Sequence, residues 1–279
     1  MDSGRNAIVV HLNRDKLIGQ GNTAEIYSVD EEKILKLFRN GLHEGIVERE
    51  YQNSVLVGKI LSCVPAVYEK VEVEGRTGIV YERICGKSLL QMMMGSLRKM
   101  KEGSKKLAQY HLALQRPVNG EILTVKEKLM EDINAVDVLS GDEKNTIKAY
   151  LDQLPDGNTL CHFDFHPGNV MIAYERPFIL DWMTACKGDV CADVARTGIL
   201  LKYGRLEHAP FIVKKIVAIT LPYIYKIYMK EYLILSGKSM EEITKWELPI
   251  MAARLREPIS EDEKKILLEL VIQKLSLMA

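Results

Sequence analysis

The chain has 279 residues, enough for one large domain or two modest ones, and 47% of them are hydrophobic, which is ample for a core. Lys and Arg number 38 and so do Asp and Glu, so the formal charge of +0 gives no reason to expect nucleic acid or an anionic membrane as partner. The five cysteines include no CxxC spacing and read as reduced thiols, not as a zinc or disulfide framework.

At the N-terminus, Met1-Asp2-Ser3-Gly4-Arg5-Asn6 lacks a basic start leading into an apolar run, so no signal peptide and a cytoplasmic protein are expected. A short strand is expected at Ala7-Ile8-Val9-Val10. Two more strands flank a glycine turn over residues 17–29, and another covers Ile34 to Phe38. A helix from about 45 to 61 has apolar positions at Ile46, Val47, Tyr51, Val55 and Leu56, and carries Glu48 and Glu50. Strands at 66–73 and 77–84 follow, joined by a turn at Glu74-Gly75-Arg76. From Ser88 onward the pattern is helical, at about 88–94, 98–116, 124–138, 142–154, 190–203, 208–235, 239–256 and 260–278. The exception is a loop and hairpin over 161–182, with its turn at Glu175-Arg176-Pro177; Lys187-Gly188-Asp189 reads as a loop. Ser88, Ser239 and Ser260 are placed to cap the helices they precede. The most hydrophobic region, 211–235, is broken by lysines. Its longest uncharged run, Ile216 to Tyr225, is too short to span a bilayer, and Pro222 marks a kink or a boundary there. The fold class expected is α+β and bilobal: a small β-rich lobe over 1–84, a hinge near 82–86 and a helical lobe over 85–279.

The stretch Cys161-His162-Phe163-Asp164-Phe165-His166-Pro167-Gly168-Asn169, followed by Ile179-Leu180-Asp181-Trp182, carries the chemistry. It sets a carboxylate, a carboxamide and a second carboxylate at 164, 169 and 181. Phosphoryl transfer needs these groups: an acid to accept the proton of an attacking hydroxyl, and an Asn and an Asp to hold Mg²⁺ on nucleotide phosphates. The bland alternative is a polar turn whose Asp164 and Asn169 bond local backbone. A zinc reading of His162 and His166 is opposed by Pro167 and Gly168, which interrupt any helix, and by Phe163 where a zincin has Glu. Gly19-Gln20-Gly21-Asn22-Thr23-Ala24 is a weak GxGxxA, but it lies between strands, as a loop over phosphates does, and does not open a helix. Lys36 shares a strand face with Ile34 and Phe38, so it needs a partner or an exposed face. Glu48 and Glu50 are both candidate partners and point in different directions on their helix. Glu82 and Ile84 end the last strand of the small lobe, where a backbone C=O and N–H could pair with the edge of adenine. No P-loop is present, because Tyr81 and Tyr232 stand where the first glycine would be required.

Taken in order, Gly19/Gly21, Lys36, Val47-Glu48-Arg49-Glu50, Tyr81 to Leu89, His162-x-Asp164-x-x-x-x-Asn169 and Ile179-Leu180-Asp181-Trp182 resemble the aminoglycoside phosphotransferase/choline kinase superfamily, which has a protein-kinase-like fold. The resemblance implies Asp164 as catalytic base, Asn169 and Asp181 as Mg²⁺ ligands, and Lys36 on the α- and β-phosphates with Glu50 favoured over Glu48 as its partner. It also implies His162 as a scaffold of the catalytic loop and Asp193 as a brace. The expected function is phosphoryl transfer from ATP or GTP, with Mg²⁺, to a hydroxyl of a small molecule such as an aminoglycoside, a sugar or an amino alcohol. A non-catalytic nucleotide-binding module is the alternative, opposed by the intact set Lys36, Asp164, Asn169 and Asp181. A protein kinase is opposed by the few residues between Asp181 and the helix near Val190, and by the lack of an Ala-Pro-Glu segment. Two positions depart from the family pattern. Phe163 stands where many drug-modifying members have Gly, and Ala24 stands at the third loop glycine. The mixed acids and bases over 241–265 read as solvated helix faces; Arg254 and Glu257 lie near the acceptor region in related folds.

Overall fold

The computed structural model describes residues 14–21, 23–205 and 211–278. The strand expected at 7–10 and the first turn of the helix expected from 208 lie outside them. The chain divides into two compact units, one comprising the residues up to Ser88 together with Val170–Thr184, the other Leu89–Asn169 together with the residues from Ala185. The helical part expected over 85–279 therefore gives up residues 85–88 and the hairpin 170–184 to the first unit.

In the first unit, β1 (Leu17–Gln20), β2 (Ala24–Ser28), β3 (Lys33–Phe38), β4 (Val67–Val73) and β5 (Arg76–Glu82) form one sheet in the order β1-β2-β3-β5-β4. Every pairing is antiparallel. The period-2 pattern divides β3 between two cores. Leu35 and Leu37 join Tyr27, Val73 and Val80 on one face; Phe38, with Ile34 against it, joins Ala24, Val47, Ile79 and Tyr81 on the other. Helix α1 (Glu44–Ile60) supplies Val47 to that second face. Its buried residues are Val47, Glu50, Asn53, Ser54 and Val57, whereas Ile46 is exposed. The inward face of α1 is thus largely polar and is not the apolar stripe expected from spacing.

A second, three-stranded sheet is formed by β6 (Lys87–Ser88), β8 (Val170–Ala173) and β9 (Arg176–Ile179), in the order β6-β8-β9. Its hairpin turns at Tyr174 and Glu175, with φ of 50° and 60°, and the register closes at Ala173–Arg176. The turn therefore falls earlier than expected, and Pro177 sits within β9. As an edge strand β9 tolerates the missing N–H. Gly86 is required here, because a Cβ would fall onto the Ile172 carbonyl.

The second unit is helical, with α2 (Leu89–Met93), α3 (Leu97–Leu114), α4 (Val125–Asn134), α5 (Gly141–Asp152), α6 (Val190–Tyr203), α7 (Phe211–Ser236), α8 (Met240–Thr244), α9 (Glu247–Arg254) and α10 (Glu261–Ser276). Side-chain caps start most of them. Ser239 and Ser260 accept from Glu242 N–H and Glu263 N–H, and α4, α5 and α8 carry full capping boxes. α7 runs through Pro222 without a boundary. The helix expected over 239–256 is instead two, α8 and α9. Pro249 has no N–H for the Lys245 carbonyl, which accepts from Tyr150 Oη at 2.9 Å instead. Lys187 and Gly188, expected as loop together with Asp189, instead belong to strand β10 (Cys186–Gly188), antiparallel to β7 (Thr159–Cys161). Among the described residues no helix is long and apolar enough to cross a membrane.

Candidate active site

In the first unit, β3 delivers Lys36 onto the α1 side of the sheet. Its Nζ lies 2.6 Å from Glu50 Oε1 and 3.2 Å from Asp181 Oδ1. Tyr81 Oη donates to the same Glu50 Oε1 at 3.1 Å and lies 3.2 Å from Ser54 Oγ. The other oxygen, Glu50 Oε2, is buried without a hydrogen-bond partner. Burial works against the Lys36 cation, but the Asp181 and Glu50 carboxylates outweigh it and hold its pKa above the ordinary lysine value. Burial pushes Glu50 up against the pull of Lys36, and burial and the Glu50 charge push the Tyr81 phenol up. Glu48 has other partners: it pairs with Lys70 and accepts from Gln52 Nε2 at 2.7 Å.

The polar face of α1 also holds the segment that bears Asp181. Asn53 Nδ2 donates to the Trp182 carbonyl at 3.2 Å, and the Ile179 N–H donates to the Cys63 carbonyl at 2.7 Å. Asp181 has φ of 64°, a left-handed backbone that Asp adopts more readily than most residues, and its side chain is 37% exposed. Gly21 N–H donates to the Ala24 carbonyl at 2.8 Å, and Arg39 holds the Gly21 carbonyl. Neither Gly19 nor Gly21 has positive φ, and a Cβ on either would meet only ordinary contacts. The fold by itself does not demand glycine at these two positions. The Glu82 carboxylate accepts from Ala66 N–H at 3.0 Å, so that side chain serves the sheet; Ile84 follows β5 and is half-buried.

In the second unit, the loop after β7 is built on Asp193. Its two oxygens accept from His162 N–H at 2.7 Å and Phe163 N–H at 2.8 Å. His111 Nε2 on α3 is 3.0 Å from Asp193 Oδ2, and His111 Nδ1 is 2.6 Å from Tyr228 Oη on α7. Asp193 is fully buried; burial raises its pKa, but His111, His162 and the Phe163 N–H outweigh this and hold it below the ordinary aspartate value. Phe163 is left-handed, with φ of 63°, although it is a buried aromatic. That backbone costs about 1–2 kcal/mol and persists only where the surroundings fix it. His162 Nδ1 accepts from Asp164 N–H at 3.2 Å. Asn169 Nδ2 donates to the Asp164 carbonyl at 3.0 Å and to Asp164 Oδ2 at 3.3 Å, while the Asp164 side chain remains 31% exposed. Asn169 thus steadies Asp164 and keeps its own Oδ1 as an acceptor. His166 Nδ1 accepts from Gly168 N–H at 3.0 Å, so it caps the turn at Pro167–Asn169.

Among the described residues no three His, Cys, Asp or Glu side chains converge on a metal position. The groups present fit Mg²⁺, which takes one or two protein oxygens and fills its octahedron with phosphates and water. Residues that spacing did not single out are His111, Tyr81, Asn53 and Arg196. His111 had one signal, its place on an α3 face with the buried Ser104, Leu107 and Ala108. Expected as solvated, Arg254 and Glu263 are buried and paired at 2.6 Å.

The phosphotransferase enzyme family model, APH, matches residues 16–214. The chain belongs to the APH phosphotransferase family. No curated protein sequence matches it. Among solved structures, an aminoglycoside-3'-phosphotransferase of type VIII shares 14% identity at a TM-score of 0.61, over 84% of this chain and 90% of that one. The streptomycin–ATP complex of APH(2")-IIa shares 15% at 0.56, over 92% and 90%. A choline/ethanolamine kinase family protein from Mesorhizobium loti shares 12% at 0.55, over 91% and 85%. At these identities the likeness is one of fold, and it agrees with the α+β architecture: a β-sheet part followed by a helical part. As an APH family member the chain is a phosphotransferase, a kinase.

Proposed function

We propose that this APH family kinase transfers the γ-phosphate of ATP to a hydroxyl of a small molecule. The observation that carries the reading is Lys36, a half-buried cation held between Glu50 and Asp181. A lysine so fixed is a point charge set in advance for phosphate oxygens. In this account Lys36 binds the α- and β-phosphates, the glycine turn at 19–21 leaves room for backbone to approach them, and the backbone at Glu82 and Ile84 meets the base. Asp164, partly exposed and steadied by Asn169, orients the acceptor hydroxyl and takes its proton. Asn169 and Asp181 would hold Mg²⁺, which neutralises charge on the phosphates. The protein contributes mainly placement and electrostatics. Support for ATP comes from the APH(2")-IIa structure of the same fold, which holds ATP.

The acceptor is an aminoglycoside, a sugar or an amino alcohol, and a nucleotide-coupled screen of these three classes with ATP and with GTP identifies it. Asp164→Ala should lower product formation by about 10²–10⁴-fold, while Lys101→Ala, on an exposed turn of α3, should not. Product formation that persists in Asp164→Ala would remove the assigned base, and nucleotide binding without any product would favour a non-catalytic module.

A further inference from the structure

Beyond the groups placed above, α6 carries a buried arginine that touches the catalytic loop through its backbone. Arg196 Nε donates to the Phe163 carbonyl at 3.1 Å. That carbonyl and the Asp164 N–H are the two ends of one peptide plane, and the N–H end is taken by His162 Nδ1. The preceding planes are fixed by Asp193, which accepts from both His162 N–H and Phe163 N–H. Arg196 therefore completes the restraint that keeps Phe163 left-handed and sets the direction in which Asp164 leaves the loop.

Arg196 is itself held. Its terminal nitrogen lies 2.8 Å and 2.9 Å from the two oxygens of Glu257. Arg254 donates to Glu257 Oε2 at 2.5 Å and to Glu263 Oε1 at 2.6 Å, and Glu263 Oε2 accepts from Arg205 N–H at 3.0 Å. The result is a chain of alternating charge from the start of α10 to the Phe163 carbonyl. In such a chain each buried charge has a partner on either side, which fixes geometry more than it adds stability. Burial would depress the Arg196 cation, yet the Glu257 and Asp164 charges keep its pKa above the ordinary value.

We propose that Arg196 is a positioning residue for Asp164, acting through the Phe163 carbonyl, and that Glu257 holds Arg196 in place. The proposal rests on Asp164 being the base, and its test separates the two claims. Lysine cannot grip a carbonyl with Nε and a carboxylate with a terminal nitrogen at once, so Arg196→Lys keeps the charge and loses the fork. With Mg·ATP alone, water serving as acceptor, Arg196→Lys should lower kcat about 100-fold and leave KM for ATP within about twofold, because misplacing a reacting group by about an ångström costs that much. Glu257→Gln should lower kcat about 10-fold, as it retains one polar contact. Amide hydrogen exchange at Phe163 and Asp164 should accelerate about 10-fold in both variants, with α3 and α7 unchanged. Unchanged exchange at 163–164 in both variants overturns the proposal, as does a fall in kcat that only follows a global rise in exchange. Faster local exchange with wild-type protein that never turns over ATP would leave the clamp standing and remove Asp164 as base.

Discussion

Lys36 is only half legible in sequence, which shows that it lies in an apolar strand and not what surrounds it. Its place in an apolar strand demands a partner; spacing leaves Glu48 and Glu50 both open, the family resemblance favours Glu50, and the orientation of α1 pairs Lys36 with Glu50. Glu48 meets Lys70 outside, while Glu50 turns in and is 1% exposed. Glu50 is consequently the residue most at risk when Lys36 is changed. Lys36→Met should destabilise the protein by about 3–5 kcal/mol, because it leaves a buried carboxylate with a phenol and a second carboxylate for company. Lys36→Met/Glu50→Gln should recover most of that loss, since the amide keeps the Tyr81 bond and carries no charge. Urea denaturation at pH 7 checks both, and ATP affinity should be lost in both. A double variant no more stable than the single one would put the cost in packing and not in the unpaired charge.

At the scale of elements, local signals were legible and non-local pairings were not. Capping serines, the Glu74-Gly75 hairpin and the long helices follow from residues close in sequence. β7 and β10 pair Cys161 with Cys186 across the hairpin 170–184, and runs this short have no readable period. α1 departs from the expected apolar stripe because its inward face holds Lys36, Tyr81 and the Trp182 carbonyl. The glycines give an element-level test, since two of them look alike in sequence and differ in surroundings. Gly86→Ala drives a methyl into the β8 backbone and should cost about 1–3 kcal/mol. Gly21→Ala meets nothing closer than 3.9 Å and should change stability by less than about 0.5 kcal/mol, yet raise KM for ATP severalfold if backbone approach to phosphate is why glycine stands there. Denaturant midpoints and ATP titrations of the two variants separate the cases; a Gly21→Ala protein with unchanged KM would take the turn out of the nucleotide site.

For the whole molecule, the order of motifs carried the family and fold, but chain order did not carry the division into units. The segment 170–184 sits inside the helical part of the sequence and belongs with the sheets, because Asn53 and the Cys63 carbonyl hold it there. Its Asp181 therefore lies in the first unit and Asn169, one residue before the segment begins, in the second. A ligand that binds only the folded chain stabilises it by mass action, by about 2.7 kcal/mol at a hundred times its Kd, which for a chain of this size raises Tm by roughly 5–10 °C. Mg·ATP should produce such a shift, and removing Mg²⁺ with a chelator should abolish most of it. Asp181→Asn and Asn169→Ala should each diminish the Mg²⁺-dependent part, whereas Lys101→Ala should leave it whole. The net charge of zero makes this a clean reading, since no large excess of either sign exists for nucleotide to neutralise nonspecifically. A full shift in Asn169→Ala with none in Asp181→Asn would mean that Asn169 serves Asp164 alone, through the two hydrogen bonds it already makes.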